Sequence, residues 1–175
     1  MRMSLLLAVA FSLSACGEVV EVPPAHIGKV LTRSGYKPDN VPPSKFRLEP
    51  CMAYCDRLIL LELADKGMEE EFQLFMPRDQ LNVSFDLRFT VAVRDDPVEI
   101  DRIFDRVPAK LAESEYGRRW EIDVDRLYET YGRPVIREVV RTIMARFTIN
   151  EVASSREEVN AEITRAVIAE LAATH

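Results

Sequence analysis

Histidine is nearly absent from this chain of 175 residues, where His26 and His175 are the only two. A histidine-based triad or metal centre has little to be built from. Glycine is scarce too: six residues at 17, 28, 35, 67, 117 and 132, too scattered to cradle a phosphate. No serine stands in a G-x-S-x-G elbow. Basic residues are outnumbered, 23 against 29 acidic, for a formal charge of −6. Such a balance argues against a nucleic-acid partner. Cysteine is limited to Cys16, Cys51 and Cys55.

What is present begins at the amino terminus. Arg2 is followed by Met3 to Leu13, apolar apart from Ser4 and Ser12. As a helix this stretch reaches about half the hydrocarbon thickness of a bilayer, so it does not span. It has the size of the apolar core of a signal peptide and ends in small residues. Leu13-Ser14-Ala15-Cys16 resembles the bacterial lipobox. That resemblance implies cleavage before Cys16, diacylation of its thiol and acylation of the new amino terminus. More than one chain matters, because a single acyl chain holds a membrane only marginally. Residues 1–15 are thus expected to be a lipoprotein signal peptide and 16–24 the lipidated cysteine with a short tether. Residues 25–175 are expected to form a single domain. Removing residues 1–15 leaves 160 residues with a charge of −7, enough for a proper core.

With Cys16 carrying lipid, Cys51 and Cys55 are left as a candidate disulfide in an oxidising compartment. In an extended strand their Cα atoms would lie about 13 Å apart, too far to bond. In a turn, which Pro50 favours, they come within about 6 Å. Two thiols without a nearby histidine do not make a closed zinc shell.

Along the chain, His26 to Leu31 reads as a strand, Tyr36 to Pro43 as a proline-rich loop, and Lys45 to Glu49 as a short strand. Leu58–Leu63 and Phe72–Met76 flank Asp65-Lys66-Gly67 and read as a hairpin. Glu69-Glu70-Glu71 reads as its solvated edge. From Leu81 to Val93 every second residue is apolar, which predicts a strand with one face in a core. The period then changes. Asp95-Asp96-Pro97 caps a helix through Phe104, and Ile122–Tyr131 is a weaker helix that Gly132 interrupts. Val135, Ile136, Val139, Val140, Ile143, Met144 and Phe147 form one helical stripe. Thr148 to Glu151 and Ser155 to Glu158 have capping-box spacing, the second opening a helix with Val159, Ile163, Val167 and Leu171 on one side. Strands first and helices after predict an α+β domain, antiparallel and β-rich in its first half. Asp95-Asp96 and Asp123-x-Asp125 are read as helix-start carboxylates favoured by the helix dipole, not as ligands. The expected catalytic set, metal site and cofactor are therefore none, and the chain is not expected to be an enzyme.

In this order the pieces resemble the SPFH family, also called Band 7, which groups stomatin, prohibitin, flotillin and HflK-HflC. Val22 to Tyr36 is similar to the family's first strand, and Pro77-Arg78-Asp79-Gln80-Leu81-Asn82-Val83-Ser84-Phe85-Asp86 to its "T-K-D-x-x-x-V-x-V-D" stretch. Arg94-Asp95-Asp96-Pro97 matches the "D-P" helix start, and Tyr131 to Ile163 the closing block. The resemblance implies a membrane scaffold, not a catalyst: a periplasm-facing, lipid-anchored protein that forms a homo-oligomer, joins SPFH-family partners or modulates a membrane protease. Two departures stand out. Relatives usually use an apolar anchor where this chain offers Cys16, and they continue the last helix into a coiled coil. The short form also suits an envelope inhibitor or exclusion lipoprotein; a small-ligand-binding lipoprotein ranks last. Gly17 in place of a retaining Asp points to the outer membrane, and the relatives' placement points to the inner.

Overall fold

A computed structural model describes residues 18–49, 55–114 and 117–174. These contain nine strands and five α-helices in an α+β arrangement, and the chain divides into two compact units. The first unit comprises residues up to Glu62 together with Asp96–Ile122, the second Leu63–Asp95 and Asp123 onward.

In the first unit, β1 (Val19–Val22) pairs antiparallel with β4 (Ser44–Arg47). The stretch expected as a tether therefore already contributes a strand, and Val22 is buried. The main sheet has the order β3-β2-β5-β9-β8, from β2 (His26–Thr32), β3 (Gly35–Val41), β5 (Arg57–Glu62), β8 (Lys110–Ser114) and β9 (Gly117–Ile122). Most of the segment expected as a proline-rich loop is thus strand β3, and Pro42 and Pro43 follow its end. It sits at the sheet edge, and its register with β2 jumps from Lys29↔Asn40 to Leu31↔Tyr36. Pro38 lies in that irregularity, where no ladder hydrogen bond is asked of it. Gly35, at φ +119°, supplies the left-handed residue of the β2–β3 turn.

The expected hairpin between Leu58–Leu63 and Phe72–Met76 does not form. β5 lies between β2 and β9, antiparallel to one and parallel to the other. Ile59, Leu60 and Leu61 are all buried, which an unbroken apolar run suits better than an alternating one. Helix α1 (Pro97–Arg106) follows, with Asp96 as its N-cap accepting from the Val98 and Glu99 amides. β8 and β9 pair antiparallel from Lys110↔Glu121 to Ser114↔Gly117, a hairpin that no alternating pattern in the sequence announces.

In the second unit, β6 (Lys66–Met76) and β7 (Leu81–Val91) form an antiparallel two-stranded sheet eleven residues long on each side. Their Pro77–Gln80 turn ends with Gln80 left-handed at φ 56°. Helix α2 (Val124–Leu127), capped by Asp123, runs through a π-helical turn (Tyr128–Gly132) into α3 (Arg133–Met144). Gly132 therefore does not interrupt the helix. A Cβ there would stand 3.0 Å from Tyr128 Cδ2, so glycine lets the wide turn close over the Tyr128 ring. Helices α4 (Ile149–Ser154) and α5 (Arg156–Thr174) complete the unit. Its core joins Phe72, Leu74 and Met76 of β6 to Ile136, Val140, Ile143 and Met144 of α3 and Val159 and Ile163 of α5.

The β6–β7 turn also anchors α4. Asp79 Oδ2 accepts from the Ile149 amide at 2.6 Å, and Arg78 Nη1 donates to Glu151 at 2.8 Å. Thr148 and Glu151 form a reciprocal capping box. Thr148→Ala should destabilise this unit by about 1 kcal/mol, measured by urea unfolding, because one amide loses its acceptor.

Candidate functional site

Of the cysteines that the sequence singles out for attachment or pairing, Cys16 and Cys51 lie outside the described residues, and Cys55 is exposed on the approach to β5. Asp96 and Asp123 serve as helix caps, and Asp125 pairs with Lys66. Among the described residues there is no cluster that could hold a metal ion. No helix among them is long and apolar enough to cross a membrane.

The structure instead concentrates its buried charge in three networks. In the second unit Glu70 is only 2% exposed. Its carboxylate accepts from Arg133 Nε and from Arg137 Nη1, each at 2.7 Å. Arg133 also reaches Glu129, and the Arg137 guanidinium lies over the Phe72 ring at 5.3 Å. These charge-assisted bonds, one to each carboxylate oxygen, fasten β6 to α3. The middle residue of the acidic triplet is thus buried, while Glu69 and Glu71 are exposed as expected. The sequence held a signal for this: Glu70 falls in phase with Met68, Phe72, Leu74 and Met76 on the inward face of β6.

Tyr128 is packed beside this carboxylate, its ring 5.6 Å from that of Phe89. Its hydroxyl is buried without a hydrogen bond of good geometry. Burial first, and the Glu70 carboxylate second, hold the phenol well above the usual tyrosine range. In the unfolded chain the same phenol ionises near pH 10, so stability present below that pH is lost as pH rises beyond it. Tyr128→Phe should be close to neutral at pH 7 and should flatten the alkaline fall in stability, read from unfolding midpoints between about pH 9 and 11.

In the first unit Lys29, 5% exposed, donates to Asp101 Oδ1 at 2.6 Å, and Asn40 Nδ2 donates to the same oxygen at 3.1 Å. Lys29 Nζ also lies 5.8 Å from the centre of the Phe104 ring, which packs on Tyr36. The third network centres on the buried Glu121, which pairs with His26 Nε2 at 3.0 Å and Arg119 Nε at 2.7 Å. His26 Nδ1 faces the Pro24 carbonyl at 2.9 Å. His26 is therefore a packed, partnered residue.

An open groove of about 330 Å³ in the second unit is lined by residues that include Leu74, Phe75, Met144 and Arg141. Arg141 is already paired with Glu138, and no set of polar groups converges in the groove as a small-ligand site requires. The arrangement holds elements in place and presents surfaces.

The family model described as SPFH domain / Band 7 family matches residues 20–175. No curated protein matches the chain.

Proposed function

The chain belongs to the SPFH/Band 7 family, whose domains are of a membrane-associated scaffold type, and from that membership we propose that it is a lipid-anchored envelope scaffold. The observation that carries this reading is the family match across residues 20–175, most of the chain. In this proposal Cys16 carries the acyl chains, and the domain self-associates or joins related subunits at the membrane surface. There it modulates membrane-protein partners such as proteases, from the periplasmic side. Three features support a binding role over a chemical one. The buried charges are paired with one another, Asp96 and Asp123 at the helix starts are caps, and large apolar side chains such as Phe75, Leu81 and Ile168 are more than half exposed. The exported setting also leaves Cys51 and Cys55 to bond with each other, and the bonded form of Cys55 supports the pairing.

Cross-linking in native membranes tests the scaffold role. Recovery of homo-oligomers or of a membrane-protein partner is the expected outcome. Strictly monomeric protein with no membrane-protein partner would reject it.

A further inference from the structure

Within the second unit, β7 is an edge. Among the described residues it pairs only with β6, and its other side offers an eleven-residue row of backbone donors and acceptors. Natural edges are usually blunted by proline, lysine, a bulge or short length. β7 has no proline and no lysine, and its register with β6 runs without a shift from Leu81 to Val91. Its inward row of Val83, Phe85, Leu87, Phe89 and Val91 is only half-buried.

The order of its side chains identifies what would cover that edge. About Leu87 the strand is nearly its own mirror image: Phe85 mirrors Phe89, Val83 mirrors Val91, and Ser84 mirrors Thr90. The one mirrored pair that differs in charge is Asp86 and Arg88. Antiparallel pairing of two identical strands centred on Leu87 therefore sets every apolar residue opposite an apolar one. It also sets each Asp86 opposite Arg88 of the other copy. A shift of one residue would lose both matches, since side chains alternate between faces. The hairpin itself leaves a place for that cation: Asp86 stands directly opposite Glu71 of β6, a like-charge pair that a strand ladder disfavours. Arg88 lies 77% exposed on the same outward face, where it already holds Glu69 at 2.8 Å.

We propose that β7 is a homotypic docking edge, pairing antiparallel about Leu87 with β7 of a second copy to make one four-stranded sheet with twofold symmetry. This rests on the self-association proposed above and assigns it a surface. A strand edge that meets itself is isologous, so it closes at two copies. The polar outward face then carries alternating charges across the seam, and the half-buried row becomes continuous with its own copy.

Charge exchange tests the register. Asp86→Arg places two arginines opposite one another at each of two positions, and Arg88→Asp places two aspartates there. Each variant alone should self-associate on the order of tenfold more weakly than wild type, followed by sedimentation of the purified chain in detergent across a concentration series. An equimolar mixture of the two should recover wild-type association, because each arginine then faces an aspartate. Recovery on mixing also shows that both variants are folded. Variants that associate as wild type does would overturn the edge and leave self-association standing through another surface. Weakened variants that fail to recover on mixing would overturn it as well. A wild-type chain that is monomeric in detergent and on lipid vesicles would remove both the edge and the self-association on which it rests.

Discussion

Replacing Arg133 and Arg137 together by methionine should cost the second unit about 3–5 kcal/mol, whereas Glu70→Met should cost less than about 1.5 kcal/mol. The asymmetry follows from where each charge sits. Glu70 is 2% exposed, and with both guanidiniums gone its carboxylate has no compensating cation and no water. The arginines are 41% and 42% exposed, so without Glu70 they turn to solvent and hydrate. Methionine keeps an apolar stem over Phe72, which limits the loss to electrostatics. Native-state hydrogen exchange of the β6 and α3 amides reads the effect within this unit. Equal costs for the two substitutions would show that Glu70 is not the desolvated member.

The same reasoning applied to the first unit gives the second large effect. Asp101→Ala should destabilise it by about 2–4 kcal/mol, and Lys29→Met by less than about 1.5 kcal/mol. Lys29 is nearly enclosed, and without Asp101 its ammonium keeps, among the described residues, the face of Phe104. Asp101 is 44% exposed and can hydrate when Lys29 is removed. Trp120, the single tryptophan, lies on β9 in this unit, so its fluorescence during urea unfolding isolates the change. The pair also has a pH signature. The hydrogen bond from Lys29 holds the Asp101 carboxyl below its usual range. Its contribution is therefore present above the unfolded value near pH 4 and fades as pH falls through the lower folded value. The gap between wild type and Lys29→Met should narrow as pH drops below about 4.

Periodicity made much of this fold legible. The alternation from Leu81 gave β7, the stripe from Val135 to Phe147 gave α3, and Asp96 and Thr148 marked helix starts that the structure keeps. What escaped were relations between segments. β5 and β6 are consecutive strands, and Gly67 falls inside β6 rather than in a turn between them, yet they belong to different units, because β5 is flanked on both sides by β2 and β9. No local pattern announces a parallel partner about sixty residues away, such as Trp120 opposite Ile59. The β3 strand was hidden by Pro38 within it and Pro42-Pro43 just after it, and an edge with a register jump tolerates the first. Gly132 misled because a π-helical turn uses glycine for room rather than as a stop. The buried networks were legible only in part. Glu70 stood in the inward phase of β6, but Lys29, Asp101, His26 and Glu121 meet across distant segments.

The anchor is the central claim, and mass spectrometry with membrane partitioning of the expressed protein beside Cys16→Ser tests it most directly. Wild type should begin at Cys16, carry the added mass of acyl chains and partition with membranes, and the variant should lack all three properties. Wild type cleaved elsewhere, or found unmodified and soluble, would contradict it.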